Sequence, residues 1–444
     1  MGLGLVHYIP LVAYISFWIM CAVSLTGRPL LGLYYMIPFL PYRTVREHFL
    51  DYPLGGNVLT ILVFSVIVGA LLKGKRLPKS KLYGIWLIFG VYLYISMWYG
   101  AALGNAPAPL WITSQNFATW KDFMLIPLTF VAAGLVVEDR QSVRRVIIIT
   151  AVALLLVDRS CILESLSRSW GSFNEDKRYS GPLSFGSNET AAFLAQFAMF
   201  FWGMVQFIKR RKVKFIFYGI VATTVFATMY TFSRGSYIAV VLSVFVLGAL
   251  KDRKLLLVGA IFLFTWQLIV PVAVRERIMM TESSSGRLEA SANERVRLWE
   301  DAEQSVLSSP ILGSGYATYQ FGIHVDNLKD THNWYVKVVV ETGIVGLIIA
   351  FAMFQQMFAT AYRLFRTADD PLYQGLGLGL FLAFCSCAVA NFFGDRWTAI
   401  EITGMLWVLV GTAVRAMELK EAEPVTELAT VSNAMPVNPY IAYR

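Results

Sequence analysis

Arg295 and Trp299 stand four residues apart and so share one side of a helix, and His332 closes the same polar stretch, just before an apolar run that begins at Trp334. An arginine fork makes two parallel charge-assisted hydrogen bonds to a phosphate and keeps its charge at any biological pH. A histidine titrates near neutrality, so it can accept a proton from a hydroxyl or orient a phosphate. At a membrane boundary this combination suits chemistry on a lipid-linked phosphate. Lys337 and Glu341 lie four apart inside the following apolar run, where isolated charges are costly, and their spacing predicts a pair. Ser233-Arg234-Gly235-Ser236 puts another arginine at a tight corner between two apolar runs, either as a headgroup anchor or as a lining group of the same cavity. Arg275, Arg277, Arg287 and Arg297 are further arginines of the long stretch, for which contact with solvent or headgroups is the plainer role. Arg178-Tyr179-Ser180-Gly181 and Asn188-Glu189-Thr190-Ala191 close a second polar loop, and spacing alone assigns them no chemistry. Among acidic residues only Asp326 and Asp330, four apart in a polar turn near His324, approach a metal motif on that side, and no metal site is expected.

These residues must be positioned by elements that sit in lipid. Of 444 residues 57% are hydrophobic and 15% charged, a balance that a water-soluble fold of this length would expose as large apolar areas. Backbone polar groups in a bilayer need internal partners, which leaves helices or a closed barrel. Leu54 to Leu72 and Leu255 to Val274 are apolar runs of helix length without the alternation of barrel strands. The class is therefore all-α and polytopic. The formal charge of +9 is concentrated in short connectors: five Lys/Arg in Lys73 to Lys81, five in Lys209 to Lys214 and three in Lys251 to Lys254. That is the positive-inside pattern, so these connectors are expected in the cytoplasm and nucleic acid is not expected as a partner. Cys161 alone of four cysteines lies outside an apolar run, so no external disulfide is expected. Ile9 to Val23, lacking a basic flank, reads as a retained span.

Spans are expected near 5–24, 54–73, 82–100, 123–137, 146–158, 189–208, 215–232, 237–250, 255–274, 334–361, 374–393 and 397–415. Pro29 to Pro41 is apolar but short and proline-rich, so the segment near 29–42 reads as re-entrant or interfacial, and Thr26 to Pro53 as one external connector. The organisation is then an N-terminal bundle over 1–274, an external loop over 275–333, C-terminal helices over 334–415, and a flexible cytoplasmic tail over 416–444. Within the loop, Ser291-Ala-Asn-Glu294 has the capping-box pattern of a helix start. Val296, Trp299, Ala302 and Val306 follow at helical spacing, giving an apolar face for the membrane surface or for a cavity. Pro310-Ile-Leu-Gly-Ser-Gly315 predicts a flexible turn, and Gly343 with Gly346 allows close helix packing.

With these residues on the page, the sequence resembles the O-antigen ligase and O-antigen polymerase family. Four stretches carry the likeness: Arg178-Tyr-Ser-Gly181 with Asn188, Thr231-Phe-Ser-Arg234, Arg295-x-x-x-Trp299 with Pro310 to Gly315, and His332-Asn333 with Glu341-Thr-Gly-Ile-Val-Gly346. The resemblance implies a GT-C-like membrane fold of about twelve transmembrane helices with a large periplasmic loop. It also implies an inverting, metal-independent glycan transfer from undecaprenyl pyrophosphate to a lipid A core sugar or to another glycan, without a cofactor. The setting would be the bacterial inner membrane with the site facing the periplasm, in contact with membrane lipids. Carried over, Arg295 and His332 are the expected catalytic residues, Arg178 and Arg234 hold the pyrophosphate together with Arg297, and Glu341, Lys337, Asn333 and Trp299 support them. His332 is left as either a base or an orienting group. Ligase and polymerase readings both stay open. A transporter is the rival of another class; it would keep charges along a midplane path, whereas here they gather at external mouths.

Overall fold

A computed structural model describes residues 8–103, 106–111, 113–168, 171–280, 290–321 and 331–432, with the side chains of 290–292, 294 and 422–432 left aside. The chain opens with α1 (Ile9–Leu25), α2 (Pro29–Phe39), α3 (Arg43–Glu47), α4 (Val58–Leu72), α5 (Lys81–Leu103), α6 (Gln115–Val136) and α7 (Arg140–Leu166). It continues with α8 (Ser187–Val205), α9 (Arg211–Met229), α10 (Arg234–Leu250), α11 (Lys254–Ile269) and α12 (Val272–Met279). It closes with α13 (Ala290–Ser308), α14 (Trp334–Thr367), α15 (Pro371–Ala390) and α16 (Ile400–Ser432). The described residues contain no strand. By length and composition eight of the described helices can cross a membrane, or nine if α11 and α12 count as one span, while α1, α2 and α10 are shorter apolar helices.

Local chemistry explains where helices begin. Asp139 and Ser142 form a reciprocal capping box at α7. Asp370 accepts the Leu372 N–H while Pro371 supplies the preset first turn of α15. The expected span 255–274 is not straight: α11 ends before Pro271, and α12 leaves at 108°. Proline removes one backbone donor and disfavours helix in the residue before it, so the break falls there.

Side-chain contacts sort the connectors to two ends of the bundle. At one end Lys75 pairs with Glu138, Arg140 with Asp370, and Lys420 bonds Thr367. Arg415 donates to the carbonyls of Gly134 and Arg76, and the Phe207 ring joins Lys251, 4.3 Å from its centroid, to Phe365. This basic end holds the lysine-rich connectors. At the opposite end Arg46 pairs with Glu401, Arg43 covers the Phe185 ring, and Gln115 donates to Gln320 at 3.0 Å.

Two expectations are corrected by these contacts. α1 runs from the opposite end, where the Tyr14 hydroxyl donates to the Pro53 carbonyl at 2.7 Å, to the basic end, where Gly27 abuts Lys73. α2 then leads back, since beyond it Arg46 pairs with Glu401. The 29–42 segment therefore traverses the bundle instead of returning to its own side, and Thr26 to Pro53 is not a single connector. Arg28 joins the basic end; Arg43 and Arg46 do not. Of the expected 416–444 tail, residues 416–432 continue α16, and 433–444 lie outside the described residues.

Candidate functional site

α13 is held against the start of α14. Ala302 is buried with Tyr319 and Val340, and Val306 and Val336 pack around them. Arg295, Leu298, Trp299 and Ala302 recur at i, i+3, i+4 and i+7, so they share one face; Leu298 is fully buried and Arg295 partly so. The expected apolar face is thus turned slightly, with Val296 exposed and Leu298 taking the inner position. Arg297 lies on the exposed side of α13, away from Arg295. The Trp299 indole donates to the Thr331 carbonyl at 3.1 Å, which ties the helix to the residue before His332. Asn333 caps α14 through its side-chain oxygen, accepting the N–H of Tyr335 at 2.9 Å and of Val336 at 3.3 Å. Between Thr331 and Asn333, both buried, His332 takes a left-handed backbone with φ 49°. A non-glycine residue holds that conformation only where its surroundings impose it, and such positions concentrate at functional sites. Beside this junction an apolar groove of about 650 Å³ is lined by Trp299, Val306, Tyr335, Val336, Phe351 and Phe392 among others.

The segment expected as a flexible turn is instead pinned inside the bundle. α14 breaks at Gly343, φ 62°, and the stretch after Pro310 fills the break. Ser314 N–H donates to the Val340 carbonyl and Gly315 N–H to that of Glu341, both at 2.8 Å, while Ile344 N–H donates to the Pro310 carbonyl at 2.9 Å. The backbone groups freed by the helix break are thereby satisfied, as a low-dielectric setting demands. On the far side Ser96 of α5 accepts the Tyr316 N–H at 3.0 Å, and the Tyr92 hydroxyl donates to the Thr342 carbonyl at 2.6 Å. Gly343 therefore admits a loop rather than a second helix: a Cβ there would stand 2.1 Å from the Ile311 carbonyl oxygen.

Lys337 and Glu341 do not pair as their spacing suggested. Lys337 donates to Asp395 at 3.0 Å, and Glu341 is buried in the lining of the same cavity without a salt bridge to that lysine. Tyr316, Lys337, Glu341, Asp395 and Thr398 line a cavity of about 20 Å³, the size of one water.

A second cluster forms where the Arg178 loop meets the corner between α9 and α10. Arg178 donates to the Thr231 carbonyl at 3.3 Å, to Asn188 at 2.6 Å and to Glu175 at 3.3 Å. Arg277 of α12 donates to the Phe232 carbonyl at 3.4 Å, pairs with the other Glu175 oxygen at 3.1 Å, and lies over the Phe173 ring. Arg234 begins α10 at the same corner, after Phe232 in a left-handed conformation. Spacing gave no reason to prefer Arg277 over its neighbours. The one usable signal was Pro271, which turns α12, and Arg277 with it, back over the corner. From Asn188 the polar chain continues: the next residue, Glu189, pairs with Arg396, and the neighbouring Asp395 pairs with Lys337. These contacts join the Arg178 and Arg234 corner to the first turn of α14, which His332 precedes. Arg287, His324, Asp326 and Asp330 lie outside the described residues, as do the capping-box side chains of Ser291 and Glu294.

Many apolar helices, with a cluster of half-buried arginines, acids and strained backbone at one end, define a multi-pass membrane protein. Residues 219–351 match the family model described as O-Antigen ligase, so over that stretch the chain is similar to this family. No curated protein matches the chain. The matched stretch includes Arg234, Arg277, Arg295, Arg297, His332, Lys337 and Glu341, and leaves out Arg178.

Proposed function

We propose that the protein is an O-antigen ligase-type glycosyltransferase, moving a glycan from undecaprenyl pyrophosphate to a sugar of the lipid A core at the periplasmic face of the inner membrane. The observation that carries this reading is the family match over 219–351, a stretch that takes in Arg234, Arg277, Arg295 and His332. Lipid-linked glycan substrates follow from the family in general; the particular donor and acceptor are the proposal.

In the proposed reaction the acceptor hydroxyl oxygen bonds to the anomeric carbon as the bond from that carbon to the pyrophosphate oxygen breaks. A single displacement of this kind inverts the anomeric configuration. The leaving pyrophosphate gathers negative charge, which Arg178, Arg234 and Arg295 neutralise from fixed positions. Arg297, on the exposed side of α13, is assigned to the outer edge of the anion. The hydroxyl proton passes to His332 or, if that residue only orients the acceptor, to solvent. Arg295 is placed by Leu298 and Ala302 below it, and His332 by the Trp299 bond and the Asn333 cap. Glu341 and Lys337 support the plug behind the site, the stretch after Pro310 that fills the break in α14. The apolar groove beside Trp299 suits the isoprenoid tail of the donor, with no metal or cofactor in the scheme.

The test is glycan transfer by purified protein in liposomes given undecaprenyl-pyrophosphate glycan and lipid A core acceptor. Product whose formation fails in Arg295→Ala and His332→Ala is expected. Movement of the lipid across the bilayer without product would make the protein a transporter. Chains lengthened on the carrier, with the core left bare, would make it a polymerase.

A further inference from the structure

We infer that Glu175 is an internal competitor for the pyrophosphate: its carboxylate occupies the place between Arg178 and Arg277 that the anion takes, and Arg277 is a binding residue of that site. The inference rests on the proposed reading that the donor carries a pyrophosphate.

Glu175 bridges the two guanidinium groups with separate oxygens, 3.3 Å to Arg178 and 3.1 Å to Arg277, the spread contact a phosphate group also makes with paired arginines. The partners are unequal. Arg178 and Arg277 are 17% and 7% exposed and are held by neutral groups, namely the Thr231 and Phe232 carbonyls, Asn188 and the Phe173 ring. Glu175 is 57% exposed. A purely structural bridge would sink the acid as well, as Glu189 is sunk against Arg396. Here the cations are fixed and the anion is loosely placed.

The loop permits the exchange. Glu175 starts a single 3₁₀ turn, Glu175–Lys177. The loop is tethered two residues earlier, where Glu276 accepts the Phe173 N–H at 2.8 Å and Phe173 packs on Phe232. The Arg178 N–H bonds the Glu175 carbonyl and keeps the turn in place, so the exposed Glu175 side chain turns away by rotating about its own bonds without moving either arginine.

The experiment uses full-length protein in nanodiscs, titrated with inorganic pyrophosphate, alongside initial transfer rates against donor concentration. Glu175→Gln is expected to tighten pyrophosphate binding about fivefold, because an exposed ion pair is weakly held, and to lower the donor KM by a similar factor. Arg277→Gln should loosen binding tenfold or more, with Arg277→Lys recovering part of it and both keeping the wild-type unfolding midpoint within a few degrees. Binding that is unchanged or weaker in Glu175→Gln would make Glu175 a brace for the arginines and overturn the inference, as would wild-type protein that ignores pyrophosphate. Active transfer together with an indifferent Glu175→Gln would sink this inference alone. Tighter pyrophosphate binding in a protein that transfers nothing would keep it and remove the proposed activity.

Discussion

The two ends of the bundle carry charge in different ways. At the basic end Lys75 and Glu138 meet with roughly a third and a half of their surfaces in solvent, and half of Arg140 is exposed where it reaches Asp370. Arg415 is the exception, docked on the Gly134 carbonyl. At the opposite end Arg178, Arg277 and Arg396 are largely buried and bonded to carbonyls, an amide or acids. All five described non-glycine residues with left-handed backbone, Leu54, Ser184, Phe232, Ala317 and His332, belong to connectors of this opposite end. Charges that only orient a chain in a bilayer need number and place, and can stay hydrated. Charges that receive an anion must be fixed beforehand, which requires partners and tolerates strain.

The largest effect that would sharpen this comparison is catalytic. His332→Ala and Arg295→Ala should each lower glycan transfer by about a hundredfold or more at equal membrane abundance, the scale of losing a proton-transfer or charge-stabilising group. Transfer that persists undiminished in both would leave the opposite end strained and charged for some other reason.

How much of this was legible beforehand follows from the range of each signal. Apolar runs and lysine-rich connectors report directly on a membrane, so the expected spans fall on helices, 255–274 on the bent pair α11 and α12. Eight or nine of the described helices are long enough to cross, and Lys73 to Lys81 marks the basic end. Pro29 to Pro41 misled because length was used as the criterion, while the traverse is set by tertiary contacts at its two ends. Helical spacing puts Arg295 and Trp299 on one side of a helix, and the apolar boundary puts His332 just before another. The structure has both in those places, on α13 and ahead of α14. Lys337 and Glu341 were paired by the same spacing rule, which cannot see Asp395, fifty-eight residues away, competing for the lysine. Pro310 to Gly315 was read as flexible because glycine and proline signal a break in helix. They do not show that Gly343 opens a matching break in another helix. Arg277 was passed over since its partners, Glu175 and the Phe232 carbonyl, come from other loops.

The next effects are on stability. Gly343→Ala should cost about 3 kcal/mol or more, combining an unfavourable positive φ with a clash against the Ile311 carbonyl, read as a lowered unfolding midpoint in detergent. A neutral result would mean that the plug is not seated in the α14 break. Arg396→Gln should cost about 3 kcal/mol by leaving Glu189 partly buried without its cation, and Glu189→Gln at least as much, since it strands the more deeply buried Arg396. Loss of transfer in Arg396→Gln beyond what its stability explains would tie the Glu189 pair to the neighbouring Asn188 and Arg178.

The smallest expected effect is at the basic end. Lys75→Ala removes one partner of an ion pair whose members are 35% and 48% exposed. Water already solvates both, so the loss should be about 0.5 kcal/mol or less, further reduced by salt, with glycan transfer unchanged. The same should hold for Glu138→Ala, because the abandoned lysine simply rehydrates. Chemical denaturation at low and high salt reads this directly, and the contrast with Arg396→Gln is the point of the measurement. Both variants break one ion pair in a connector, but only one strands a carboxylate away from water. If Lys75→Ala proved as damaging as Arg396→Gln, solvation would not be what separates the two ends. The buried arginines would then be stability devices, with no claim to have been set in place for an anion.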